Sequence, residues 1–377
     1  MLEQHIFAVL SVLKSISIKG FRGIKECTIE NLGNVNVLIG RNGAGKSTVL
    51  EAIYASSAWV NSTDNLRGYR KIDYIIERRA GRGKWVSSRY TLWYLMDVEK
   101  DIEIKLDFTG NKELSFKLVS KDVEGNVWLL LPPSLRRELG KRWESYVFYN
   151  YFKDKFSSPK LRIISRENIG VKEIFEKHYG DSLRFLEDIT FIDSWLLSRP
   201  NIVENKVWPK ILARRLDKLI VKTIREGYGI DAEGLTYMPI GGIHVLALQL
   251  PKTTIRIDDL GDGIKNAILA SATMLPLEKT AVLIEDPEIH QHPGGLATLM
   301  NFTMRIAKEK HLQLFISTHS IELVRIVNKL CGEIGLECRT FFLERSGDGI
   351  VDVRILEKID IDTLLKLGLD PRLLHII

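Results

Sequence analysis

The run Gly40-Arg-Asn-Gly-Ala-Gly45-Lys46-Ser47 has the residue types and spacing of a phosphate cradle. It fits G-x-x-x-x-G-K-[ST] at every defined position. Glycines let backbone N–H groups wrap anionic oxygens, and a helix starting here adds partial positive charge. The donors would come from Asn42, Gly43, Ala44, Gly45, Lys46, Ser47 and Thr48. Lys46 would reach the β and γ phosphates of a nucleotide, and Ser47 would offer its hydroxyl to Mg2+. A second stretch, "TAVLIEDPEIHQHP" at 280–293, runs an apolar strand into two adjacent carboxylates, Glu285 and Asp286. A hydrolytic site needs one carboxylate for Mg2+ and one to activate water, at a strand end facing the phosphate loop. A third, "LQLFISTHS" at 312–320, brings His319 to the end of another apolar strand. There it would sense a γ-phosphate or make a structural hydrogen bond. Its distance of 33 residues from Asp286 leaves room for one helix and one strand between them.

These groups act together only if the chain places them at one edge of a sheet. "VNVLI" before the glycine loop reads as a buried strand, and "KSTVLEAIYASSAW" after it has helical spacing, with Val49, Ile53 and Ala52 on one face. "LKSISIKGF" alternates like a strand. From Arg89 to Leu131 the pattern predicts an antiparallel meander: "RYTLWYLMD", "DIEIKLDF", "ELSFKLV" and "NVWLLL", separated by short turns. Residues 134–230 read as mostly helical, ending in one long helix, "VENKVWPKILARRLDKLIVKTIREGYG", with Gly227 near its end as the cap. Strands return at "GLTYMPI", "IHVLALQL" and "TTIRI". The last third alternates helix and strand, as a parallel sheet requires. No heptad is sustained, so no long coiled-coil arm is expected.

Composition sets the class. The 377 residues are 45% apolar, ample for a core, and no uncharged apolar run reaches the roughly 18–20 residues that span a bilayer. Three scattered cysteines lack metal-site spacing, which fits a reducing cytoplasm. The formal charge of +6 is uneven. Residues 67–89 hold eight Arg or Lys against Asp73 and Glu77, so this segment alone carries a net +6. It reads either as a solvated hairpin around "AGRG" or as a basic loop whose Arg78, Arg79, Arg82 and Lys84 touch nucleic-acid phosphates beside Trp85. The same arginines could instead face the nucleotide or a second subunit.

A fourth stretch, "IDDLGDGIKNAILASATM" at 257–274, is a glycine turn opening an apolar helix about twenty residues before the acidic strand. With it, the motif order resembles the ATP-binding cassette ATPases of the SMC/RecF/OLD-type branch. "IKGFRGI" resembles that branch's first strand and turn, which would bring Arg22 to the nucleotide, and "EDPEIHQHP" resembles its D/E-E-P-E-x-H-x-H-P run. The resemblance covers residues 14–60 and 255–345. It implies an α/β P-loop NTPase head over residues 1–377 with a parallel core sheet. To that core the residue pattern adds a basic loop and antiparallel β lobe at 61–131 and a mostly helical insertion at 132–231.

It further implies Mg2+-dependent ATP hydrolysis by Glu285, Asp286 and His319, with Ser47 and Glu285 on Mg2+. Two heads would dimerise around ATP, each presenting Leu260, Gly261, Asp262 and Gly263 to the other's phosphate loop. Leu260-Gly-Asp-Gly263 departs from the commoner L-S-x-G, so backbone N–H groups must do the contacting and Asp262 must point away. The reversed pair Glu285-Asp286 implies slow turnover. No glutamine lies between Gln4 and Gln249, so the branch's Q-loop is not placed. His290 and His292 read as the loop that meets the opposite subunit, with a metal site including Glu288 as the alternative.

The function implied is an ATP switch in nucleic-acid transactions, either DNA repair or defence against phages and plasmids. It would pair with DNA, RNA or a separate nuclease chain. The alternative is an ATP-gated protein-interaction module that regulates a separate effector or toxin. No membrane partner and no fused nuclease are expected.

Overall fold

The computed structural model describes residues 11–80, 85–118, 126–130, 147–150 and 171–366. The chain opens with β1 (Leu13–Phe21), β2 (Ile24–Ile29) and β3 (Val35–Ile39). Every residue of β3 is buried because it has a parallel neighbour on each side. Its one polar residue, Asn36, is fully satisfied: Nδ2 donates to Gly33 O and Leu314 O, and Oδ1 accepts from Gly33 N. Helix α1 (Lys46–Val60) follows, then the short pair β4 (Thr63–Asp64) and β5 (Tyr69–Arg70), then α2 (Lys71–Ala80).

Strands β6 (Ile102–Phe108), β7 (Lys112–Leu118), β8 (Asn126–Leu130) and β9 (Val147–Asn150) form an antiparallel run, and β10 (Thr190–Ile192) comes after a helix at Val171–Glu187. A separate antiparallel sheet holds β11 (Gly234–Ile240), β12 (Ile243–Leu250) and β13 (Thr253–Arg256). The last third supplies β14 (Ala281–Glu285), β15 (Gln313–Ser317), β16 (Cys338–Arg345) and β17 (Ile350–Leu356).

The main sheet has the order β10-β14-β15-β3-β16-β17-β2-β1-β6-β7-β8-β9. From β10 to β16 all pairs are parallel, so β14, β15 and β3 end at one edge, where ligands of open α/β sheets bind. Alternate side chains of these strands feed two cores: Leu38 and Leu283 face α1, while Val37, Ile39 and Ile284 face the opposite layer.

Three local expectations fail for tertiary reasons. Helix α1 is not one-faced: all its residues except Ser47 are buried, because it lies between the sheet and α2 with the helix at Val171–Glu187. "RYTLWYLMD" is not a strand but two 3-10 turns, at Arg89–Leu92 and Tyr94–Met96, joined to the sheet by one bridge from Trp93 to Phe21. The long helix before Gly229 is three helices, Pro200–Lys206, Trp208–Ala213 and Asp217–Tyr228. Pro209 lies in the first turn of the second, where its missing N–H is harmless, and Arg215 at φ 55 turns the chain before the third. Gly229, at φ 65, is the cap. Gly227 serves the packing instead, since a Cβ there would lie 2.1 Å from Thr298 on the helix Pro293–Glu309.

Candidate nucleotide site

The glycine loop leaves β3 at Gly40, whose φ of 139 and approach to Leu343 O (2.3 Å from an added Cβ) admit no side chain. Gly43 and Gly45 also have positive φ, and α1 starts at Lys46. The Lys46 ammonium lies inside the loop, donating to Gly40 O at 2.8 Å and Arg41 O at 3.1 Å. Burial lowers its pKa, while Asp286, Glu288 and Glu285 work to raise it. A cavity of about 700 Å³ opens above the loop. Arg22, Asn42, Lys46, Ser47, Thr48, Arg79, His319 and Arg345 line it, with Thr91, Trp93, Leu95 and Met96 also in its wall.

Strand β14 ends on Glu285, and Asp286 follows in a left-handed conformation (φ 44) held by Asp286 N donating to Ser317 O. Asp286 Oδ1 is buried with no hydrogen-bond partner. Burial, then Glu288 and Glu285, push its pKa up to about 6 against the pull of Lys46 and Arg78. Glu288, which sequence reading offered only as a metal ligand, ties the histidine loop down. Its Oε1 accepts from Thr318 Oγ1 at 2.7 Å and from His319 N at 2.9 Å. Ser320 then caps the helix Ile321–Ile334 through Leu323 N. The metal alternative at His290 and His292 gains no support: no group of three or more ligating side chains occurs among the described residues.

Two cations of the basic segment, Arg67 and Arg78, are internal wiring. Residues 71–80 form α2 rather than a loop, and Arg78 is 7% exposed, reaching Glu51, Asp193 and Glu285 at once. Burial works against its charge, but these three carboxylates more than offset that and raise its pKa. Glu51, wholly buried on α1, also holds Arg79 Nε at 2.7 Å. Arg22 Nε lies 2.7 Å from Glu51 Oε2, an ion-pair distance without hydrogen-bond alignment. Asp193 takes Arg78 Nε at 3.1 Å and a hydrogen bond from Tyr74, and caps the turn of helix at Ser194–Leu197. Arg67, buried over the Tyr74 ring, pairs with Asp64 at 2.7 Å.

So Arg78 has no reach to a nucleic-acid backbone, and Arg79 turns toward the phosphate cavity. Arg82 and Lys84 lie outside the described residues. Trp85, expected beside a flexible loop, is buried, its backbone N–H donating to Asp73 Oδ1. Glu285, expected on Mg2+, spends its charge on Arg78. Sequence reading missed Glu51, Asp193 and this role of Arg78. The visible signal was an acid in an otherwise apolar helix turn, "VLEAI".

Gly261 caps the helix Asp262–Met274, and Asp262 turns to Lys265 on its own helix at 2.6 Å. The turn is tied to the loop after β14 by Gln291 Nε2 donating to Gly263 O at 2.7 Å. Leu260–Gly263 do not line the phosphate cavity. Asp262 instead lines a second cavity of about 210 Å³ with Glu285, Asp286 and His290.

A glycine cradle, a catalytic-type carboxylate and a histidine on adjacent parallel strand ends define a P-loop ATPase. The chain belongs to the AAA ATPase domain family, which matches residues 12–193 and 200–324, and it is an ATPase of SMC/RecF/OLD-like type. An ATP/GTP phosphatase of Helicobacter pylori is 21% identical over 85% of this chain and 89% of its own length. An OLD nuclease of Thermus scotoductus is 24% identical over 84% of this chain and 62% of its own. An uncharacterized protein of Methanocaldococcus jannaschii is 33% identical over 103 residues, 27% of this chain and 44% of that relative. The structure of an SMC head bound to the C-terminal winged-helix domain of ScpA shares the fold. It does so with a TM-score of 0.50 and 13% identity, over 92% of this chain and 98% of that one. Among the described residues no helix is long and apolar enough to cross a membrane.

Proposed function

We propose that the chain is a nucleotide-driven switch in which two copies close around ATP, each supplying Leu260–Gly263 to the other's phosphate cavity. The observation that carries this is the separation of the two elements. In one chain the signature turn is tied to the loop after β14 and lines a different cavity from the cradle that would need it. Lys46 and the loop N–H groups bind the phosphates, Arg79 and Arg22 add charge from the Glu51 hub, and His319 meets the γ-phosphate end. The residues fit a divalent cation: Ser47 lines the phosphate cavity, and Asp286, whose charge acts on Lys46, has a buried Oδ1 with no donor. Mg2+ would there supply charge to the β and γ phosphates. Asp286 fits that role or the water-activating one better than Glu285 does.

Lys46→Ala should weaken nucleotide binding by a hundredfold or so (about 3 kcal/mol). His319→Ala should retain binding and lose turnover, and calorimetry with ATPase assays separates the two. Equal loss of affinity in both would remove His319 from the γ-phosphate. Sedimentation of Asp286→Asn with ATP and Mg2+ should show a dimer, and a monomer there would count against the closed pair.

A role in nucleic-acid transactions, in repair or defence, is supported by the OLD nuclease likeness and no longer by Arg78 or Arg79. The second reading is ATP-gated control of a partner protein. It is favoured by Arg78, which links β14 to Asp193, the cap of the helix Ser194–Leu197. DNA binding that weakens with a steep log–log slope on salt supports the first reading. Binding unmoved by salt, or none, supports the second.

A further inference from the structure

Tyr94–Met96 is an unusual piece of chain at the mouth of the phosphate cavity. Leu95 (φ 53, ψ 22) and Met96 (φ 59) are consecutive left-handed residues with neither glycine nor asparagine to ease them. Both are large and apolar, yet 75% and 60% exposed. Strain of this kind persists only where the surroundings over-determine it, and here they do. Trp93, 3% exposed, donates Nε1 to Lys100 O at 2.7 Å. Arg22 N donates to Leu92 O at 2.7 Å, which couples the segment to the first strand turn. Tyr94 Oη donates to Asp348 O at 2.7 Å across the β16–β17 turn. Gly349 makes that possible, since a Cβ there would stand 2.4 Å from the Tyr94 hydroxyl. The result is a rigid apolar knob that lines the same 700 Å³ cavity as Lys46 and Ser47.

We infer that Leu95 and Met96 are the shelf for the base of the bound nucleotide, and that the shelf accepts adenine and guanine alike. The inference rests on the proposed nucleotide site. The phosphate end of the cavity is built from N–H groups and cations, so the apolar residues in its wall suit the one apolar part of a nucleoside triphosphate, its base. Neither Leu nor Met carries a hydrogen-bonding group of the kind that reads a base edge. The Thr91 hydroxyl is already given to Ser88 O at 2.7 Å. A surface that meets only the face of a ring discriminates poorly between two purines, whereas one that hydrogen-bonds an edge discriminates strongly.

The test compares ATP, GTP and inorganic triphosphate by calorimetry, on the wild type and on Leu95→Asn/Met96→Asn. Asparagine keeps the left-handed backbone and removes the apolar surface. The wild type should bind ATP and GTP within about tenfold of each other. The double variant should bind both at least tenfold more weakly while holding inorganic triphosphate within twofold, with an unchanged circular dichroism spectrum. Unchanged ATP and GTP affinities would overturn the shelf. So would equal weakening of triphosphate, or loss only of ATP-driven dimerisation, which would make the knob a subunit contact. A wild-type preference for one purine beyond a hundredfold would overturn its tolerance. If Lys46→Ala left both triphosphate and ATP binding intact, the nucleotide site itself would fall, a result distinct from any of these.

Discussion

Arg78→Met should lower the stability of the nucleotide-free protein by about 3–5 kcal/mol, the cost of removing one partner from a buried ion-pair network. The loss falls unevenly on the three carboxylates. Glu51 keeps Arg22 and Arg79, and Asp193 keeps Arg67 and Tyr74. Glu285, 16% exposed, pairs with no other cation among the described residues. Adding Glu285→Gln to Arg78→Met should therefore recover a good part of the loss, a non-additivity of about 1–3 kcal/mol between the two sites. Arg78→Lys should fall between, because an ammonium keeps the charge but cannot bridge three carboxylates as a planar guanidinium does. Urea unfolding of the wild type, these three variants and Glu285→Gln alone measures all of this. If the midpoint of Arg78→Met matched the wild type, the hub would carry no stability and the coupling from β14 to Asp193 would lose its basis.

That hub also marks the limit of what the sequence alone could yield. The places in the fold of the glycine loop, Glu285-Asp286 and His319 were legible because each is local: an apolar strand followed at once by the group it delivers. The charge cluster at 67–89 was not, since eight cations in a short span read as a solvated face. The partners of Arg78 lie far along the chain, with Glu51 27 residues away, Asp193 115 and Glu285 207. No local pattern encodes such pairings. "RYTLWYLMD" failed in the opposite sense, for its alternation is real but Trp93 and Tyr94 are claimed by Lys100 and Asp348. Tertiary contacts overrode β-propensity there. In the helix before Gly229, periodicity gave the type of element correctly and missed its two breaks, one at Pro209 and one at the left-handed Arg215.

Asp286→Asn should make the protein more stable and nearly inactive. In the folded chain burial, with Glu288 and Glu285 beside it, holds the Asp286 carboxyl near a pKa of about 6, against an ordinary 3.8. Below about pH 4 the group is protonated in both folded and unfolded chains and adds no penalty. Between about 4 and 6 the unfolded chain releases the proton and the folded one keeps it, so stability falls as pH rises. Above 6 the ionised folded form carries the whole cost. Two units correspond to roughly 3 kcal/mol, which solvent screening of this part-exposed carboxylate reduces to about 1–2.

Asparagine removes the charge, and it tolerates the left-handed φ of 44 as well as aspartate does, so the backbone is not a confounding change. The variant should therefore gain about 1–2 kcal/mol over the wild type at pH 7.5 and almost nothing at pH 4. Turnover should drop by 10²-fold or more, since a group that accepts the proton of water or faces a phosphate-bound cation has lost its charge. Nucleotide affinity should stay close to the wild type, because the cradle supplies its own donors. Denaturation at the two pH values and single-turnover hydrolysis together decide it. A stabilised variant that still hydrolyses ATP would show the carboxylate to be a strained bystander, and an inactive variant with no pH-dependent gain would show that its charge is already compensated in the folded chain.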